Sequence, residues 1–188
     1  MYRYILCVGI CVIIWIVNGR WIIQAVREQV TSGIYMHIGL GIFFTLLTLE
    51  LILGTFKLWG QLNIWWLTVV GFLLYIPSGY LVASSMHALK HKGKPKTADF
   101  TASTTFIDTG IYGLIRQPMT LGMAIWSIAF MLVFQSILAV ILGAVSLVCF
   151  WISARKESEY DIGKFGNAYE EYMERVPMWN IVRGLRKR

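Results

Sequence analysis

Residues 119–154 read MTLGMAIWSIAFMLVF-QS-ILAVILGAVSLVCFWISA, without one Asp, Glu, Lys or Arg. A helix rises about 1.5 Å per residue, and about 20 apolar residues cross a hydrocarbon core about 30 Å thick. The runs 119–134 and 137–154 approach that length, and only Gln135 and Ser136 separate them. They form a tight hairpin of two membrane helices. Working outward, three more apolar stretches appear at about 64–86, 34–56 and 4–21. The expected fold is all-α: a polytopic integral membrane protein of about five transmembrane helices, one membrane domain spanning 1–188.

Composition agrees. Apolar residues make up 57% of the chain and charged residues 14%, against about 45–50% and about 25% in soluble domains. Mean hydropathy is +0.62. These values exclude a disordered chain, a coiled coil and a typical cytosolic enzyme. Cys7, Cys11 and Cys149 each lie in an apolar run, so neither a disulfide framework nor a zinc site is indicated. His37, His87 and His91 are too scattered for a metal site. The first apolar stretch follows a single early Arg3 and lacks a small-residue cleavage pattern, so it reads as a retained span.

The basic residues are strongly partitioned. With five alternating spans, Arg3 and Lys57 fall on one side. The other 15 of the 17 basic residues fall on the opposite side, from Arg20 and Arg27 through the run Lys90–Lys96 and Arg116 to Arg155–Arg188. Cytoplasmic loops carry the Lys/Arg excess, so the N-terminus is expected outside and the C-terminus in the cytoplasm. Membrane topology and anionic lipid explain the net charge of +7, and no nucleic-acid partner is required.

Two cytoplasmic stretches have room for chemistry: the link 87–118 and the tail 155–188. Neither holds a GxGxxG or GxxxxGK[ST] motif, and no internal repeat suggests a transporter. The tail carries Ile162, Phe165, Tyr169, Tyr172, Met173 and Val176 at spacings of three or four. That stripe predicts an amphipathic helix whose aromatic face is chiefly packing, with Glu170, Glu171 and Glu174 solvated. Glu157 and Glu159 leave the fifth span at the membrane surface, where a carboxylate can meet a cation. Glu50 is the one acid inside a span. Its place in the outer half of the second helix favours an interhelical structural role over a catalytic one. His87, at the inner end of the third span, reads as interfacial.

The sharpest signal lies between Phe106 and Gly122. Pro118 starts the fourth helix where its missing N–H is no loss. Gly110 permits a turn with close backbone approach. Arg116 stands beside the free N–H groups of that helix start, a corner suited to an anion such as a carboxylate.

These residues resemble a known family, the isoprenylcysteine carboxyl methyltransferases and membrane phospholipid methyltransferases. Its pattern is roughly L-V-x-x-G-x-Y-x-x-x-R-H-P-x-Y-x-G, a helical hairpin, then E-E-x-x-L-x-x-x-F-G-x-x-Y-x-x-Y and V-P. Gly110, Tyr112, Arg116, Pro118 and Gly122 match the first block. Glu157, Phe165, Gly166, Tyr169, Tyr172, Val176 and Pro177 match the second. The likeness covers about the last hundred residues. Gln117 replaces the family histidine, Thr120 the following tyrosine and Ser158 the second glutamate, with Glu159 one place later. Gln117 can hydrogen-bond but carries no charge.

The resemblance implies transfer of a methyl group from S-adenosylmethionine to a lipidic acceptor at the cytoplasmic membrane face. The acceptor would be an isoprenylcysteine carboxylate or a phospholipid amine. Gly110, Tyr112, Arg116, Gln117, Pro118, Glu157 and Tyr169 would hold the cofactor, and Arg116, Glu157 and Glu159 would serve catalysis. Carboxylates and aromatic faces suit its sulfonium and ammonium, and Arg116 its carboxylate. Methyl transfer depends mainly on positioning; an amine acceptor would also need a base, with Glu157 or Glu159 as candidates. Two other readings share these residues. One is an NADPH-dependent membrane reductase related to the sterol reductases. The other is a catalytically degenerate homologue that scaffolds a membrane complex or binds lipid.

Overall fold

The structure, a computed structural model, describes residues 2–93 and 105–186. Lys94, Pro95 and Lys96 of the basic run lie outside the described residues. The helices are α1 (Tyr2–Arg27), α2 (Thr31–Ile52), α3 (Trp65–Lys92), α4 (Pro118–Phe134), α5 (Ile137–Phe165), α6 (Asn167–Arg175) and α7 (Ile181–Arg186). Short 3₁₀ turns cover Gly54–Phe56 and Gly110–Gly113. Among the described residues, four helices are long and apolar enough to cross a membrane: α1, α2 with its 3₁₀ turn, α3 and α5. The 17-residue α4 is apolar but shorter. This is an integral multi-pass membrane protein.

The boundary expected at Ala154 ends the apolar run but not the helix. At 29 residues, α5 is about 43 Å long and exceeds the hydrocarbon core. Its last turns, from Arg155 to Phe165, therefore project beyond the membrane as an ordered post. The aromatic stripe is divided in consequence. Ile162 and Phe165 close α5, whereas Tyr169 and Tyr172 belong to α6. Gly166 makes the break, at φ 62°, where a side chain would be strained.

The helices pack in the order α1, α2, α5, α4, α3. The α4–α5 hairpin is thus wedged between α2 and α3. Lipid is as apolar as the helix faces, so association relies on close fit and on polar contacts. Gly71 and Gly122 provide both. A Cβ at Gly71 would press on the Ala129 carbonyl, and one at Gly122 on the Ser78 carbonyl, each at 3.0 Å. The Ser78 hydroxyl also donates to the Gly122 carbonyl at 2.8 Å. The core between α2, α4 and α5 holds Phe43, Leu46, Phe130, Ala139 and Phe150. Trp65, Ile76, Tyr80 and Ile137 face outward, as lipid contact requires.

Two polar ends cap this bundle. At one, the Leu62 N–H donates to the Gln135 carbonyl at 3.2 Å. The Gln135 side chain accepts from the Ile64 N–H at 2.7 Å and donates to the Ile64 carbonyl at 3.0 Å. Glu50 is fully buried here. It accepts from Trp59 Nε1 at 3.2 Å, from Gln61 Nε2 at 3.1 Å and from the Ser136 hydroxyl. These bonds tie α2, the 57–64 loop and the hairpin turn, so Glu50 is an interhelical clasp. Arg3 lies at the same end, 3.4 Å from the Phe56 ring centre. At the opposite end, α3 finishes, α4 begins and α5 runs on towards α6.

Candidate functional site

The opposite end brings together the two motif blocks. Gly110, at φ 66°, opens the 3₁₀ turn that carries Tyr112. Beyond it, the Arg116 N–H donates to the Pro177 carbonyl at 3.0 Å and the Gln117 N–H to the Met178 carbonyl at 3.3 Å. Pro118 is buried as the first residue of α4, and Gln117, its N-cap residue, makes no side-chain cap. Trp179 Nε1 donates to the Thr120 hydroxyl at 3.2 Å. The segment after α6 is thereby bonded along the start of α4.

α6 packs its apolar face inward. Tyr169, Tyr172 and Val176 are buried together against Phe106, Ile162 and Phe165. Phe106 meets Tyr172 edge-on with ring centres 4.9 Å apart. Glu170, Glu171 and Glu174 lie on the exposed side of α6.

Charge is arranged in two zones around these tyrosines. Arg116 is half-buried, and its Nε is enclosed without a hydrogen-bond partner among the described residues. Burial holds its pKa below the usual arginine value, while the neighbouring Tyr169 and Tyr172 oppose that shift. Arginine nevertheless keeps its charge in proteins. A half-buried guanidinium whose Nε is enclosed and unused can seat an anion. The second zone is acidic. Glu157 and Asp161 both lie close enough to Tyr112 to raise its hydroxyl pKa, burial being the larger cause. Tyr112 lies beside Ser85 of α3. Tyr169 lies beside both the Asp161 carboxyl and the Ser158 hydroxyl. Burial and Glu157 push Asp161 up to about 7, while Tyr169 and Lys164 pull it down.

Of the residues singled out from the sequence, Tyr112, Arg116, Glu157 and Tyr169 converge, with Gly110, Gln117 and Pro118 forming the adjoining backbone. Glu159 points elsewhere: it is exposed and pairs with Lys156 Nζ at 2.6 Å. Arg155 is also exposed, 4.9 Å from the Trp151 ring centre. Asp161 and Ser85 are members that the sequence reading did not pick out. Helical spacing could have found Asp161, since residues four apart share a helix face and residues two apart do not. Among the described residues no group of His, Cys, Asp and Glu is arranged to hold a metal ion.

The family model described as phospholipid methyltransferase matches residues 66–171, more than half the chain, from α3 into α6. No curated protein and no solved structure matches the chain.

Proposed function

Because the chain belongs to the phospholipid methyltransferase family, we propose that it moves a methyl group from S-adenosylmethionine to a lipidic acceptor where α3, α4, α5 and α6 meet. The observation that supports this reading is that charges of both signs gather at the tyrosines: Arg116, with an Nε enclosed and unused among the described residues, beside Tyr169 and Tyr172, and Glu157 with Asp161 beside Tyr112. Such a set of charges suits a zwitterion with an additional positive centre.

When bound, S-adenosylmethionine supplies an electrophilic methyl group on a sulfonium. Arg116 and the first N–H groups of α4 hold its carboxylate. Glu157 and the faces of Tyr112 and Tyr169 favour its positive charges. Gly110 lets the backbone come close, Pro118 fixes where α4 begins, and Gln117 offers neutral hydrogen bonds. The tyrosine layer excludes water, so these fixed charges act at low dielectric. The lipid acceptor arrives laterally, its tail staying among the helices. The partition of basic residues supports a cytoplasmic site, with the N-terminus outside.

Titration calorimetry of S-adenosylmethionine into detergent-purified protein tests this. The expected result is micromolar binding that weakens about tenfold or more in Glu157→Ala and in Arg116→Ala. The decarboxylated analogue should lose little in Arg116→Ala, because the group that Arg116 holds is gone. No binding to the folded wild-type protein would remove the proposal.

A further inference from the structure

The tail holds two short helices, and the described residues cover the apolar face of only one. Tyr169 and Tyr172 of α6, with Val176 just after it, are buried against Phe106, Ile162 and Phe165. In α7, by contrast, Ile181, Val182 and Leu185 are 39%, 59% and 58% exposed. At 3.6 residues per turn these three share an arc of about 100°. Gly184 lies to one side of that arc and is buried, whereas Arg183 and Arg186 lie on the other side and are exposed.

The level at which α7 sits follows from its contacts. Gly184 lies on the Leu114 backbone, with no room for a side chain between them. Leu114 and Trp179 pack on the cluster of Leu81, Ile115 and Leu121, where α3 finishes and α4 begins. With 17 residues, α4 is about 26 Å long, less than a hydrocarbon core of about 30 Å. Its far end already meets the polar Gln135 turn, so Pro118 lies at the near edge of that core. Leu114 is four residues before Pro118, which puts α7 at the level of the lipid headgroups. Lys90, Lys92 and Arg155 are exposed at the same end of the bundle.

We propose that α7 is an in-plane anchor that docks on the surface of an anionic phospholipid bilayer. Ile181, Val182 and Leu185 enter the boundary between headgroups and acyl chains, and Arg183 and Arg186 meet lipid phosphates. Charge selects lipid over a second copy of this chain, which would bring the same arginines to the contact. The start of the helix is already built. The Arg183 N–H donates to the Asn180 side-chain oxygen at 2.9 Å, and the Gly184 N–H to the Asn180 carbonyl at 3.0 Å. A helix of 6 residues is marginal by itself in water, so the surface that it rests on also keeps it folded. Pro177, Met178 and Trp179, just before it, are bonded along the start of α4. Docking of α7 therefore holds this strap against Arg116 and Gln117, whichever reaction the site performs.

The test is amide hydrogen exchange of residues 181–186 in full-length protein held in nanodiscs, made of phosphatidylcholine alone or mixed with phosphatidylglycerol. Exchange should be about tenfold slower or more in the mixed bilayer. Arg183→Gln with Arg186→Gln should abolish that difference. Val182→Ser with Leu185→Ser should speed exchange in both bilayers, while the thermal midpoint of the bundle stays as in wild type. A nitroxide at Leu185→Cys, with Cys7, Cys11 and Cys149 replaced by alanine, reports position directly. It should collide more with dissolved oxygen, which concentrates in the bilayer. A label at Arg183→Cys should collide more with a water-soluble nickel chelate. Wild-type exchange that ignores phosphatidylglycerol would overturn the proposal. So would a label at Leu185 that meets the chelate as freely as one at Arg183. Spin–spin broadening at Leu185 that grows with the number of copies per disc would put a second copy on the arc, and would overturn it too.

Discussion

The Tyr172 hydroxyl donates to the Tyr112 carbonyl at 2.6 Å across 60 residues of chain. This bond joins the two motif blocks directly, linking α6 to the turn that precedes α4. Tyr172 is almost fully buried, so its hydroxyl has no water to fall back on. The same helix brings Tyr169 next to Asp161, and thus the clasp also positions the tyrosine beside that carboxyl.

Replacing Tyr172 by Phe should therefore act on shape before chemistry. Losing a buried donor and stranding its acceptor costs about 1–3 kcal/mol. A lowered thermal midpoint in detergent is expected, with weaker S-adenosylmethionine binding. A midpoint equal to wild type would show that packing of the ring alone holds α6 in place.

Gly184 of α7 lies directly on the backbone of Leu114, and a Cβ there would overlap the Leu114 carbonyl oxygen. The obstacle is backbone, which cannot rotate aside. Gly184→Ala should lift α7 off the 3₁₀ turn and speed proteolysis of the C-terminal segment. Gly9→Ala, with open space around it, is the matched control and should leave the cleavage rate unaltered.

Asp161 should give the protein a distinctive dependence of stability on pH. An unfolded aspartate titrates near 4, whereas Asp161 holds its proton up to about 7. Between those values the folded state binds more protons than the unfolded one, so stability falls as pH rises. Asp161→Asn cannot ionise. Its thermal midpoint should exceed wild type by about a few degrees at pH 8, and the gap should shrink as pH falls and close below about pH 4. A constant gap across that range would place the effect outside Asp161 ionisation.

Glu50→Gln tests the clasp at the other end. The carboxylate accepts from three side chains at once, whereas an amide turns one acceptor into a donor that faces donors. The expected loss is about 2 kcal/mol or more. Cofactor affinity should stay as in wild type, because the clasp lies at the end of the bundle away from the site. A selective loss of affinity with unchanged stability would contradict a structural role.

The class of fold and the two motif blocks can be read from the amino-acid order alone. Apolar runs are local and long enough to mark the spans, and Gln135-Ser136 marks the hairpin. Gly110, Tyr112, Arg116 and Pro118 lie within nine residues, while Phe165, Gly166, Tyr169 and Tyr172 follow helical spacing, so both blocks can be read without a third dimension. Which helices become neighbours shows only in three dimensions: α2 packs on α5 rather than on α3, which follows it in the chain. Hydropathy cannot choose between those pairings, since a lipid-facing and a helix-facing apolar surface look alike in composition. Close approach at small residues fits the observed pairs: Gly39 of α2 meets Cys149 and Phe150 of α5, while Gly71 and Gly122 let α3 and α4 reach each other's carbonyls. The same holds for charge. Glu157, Glu159 and Asp161 are alike in a sequence, but α5 continues past the membrane and turns Asp161 towards Tyr169 and Glu159 towards Lys156. A carboxylate acquires its role from what it faces, and only the folded chain determines that.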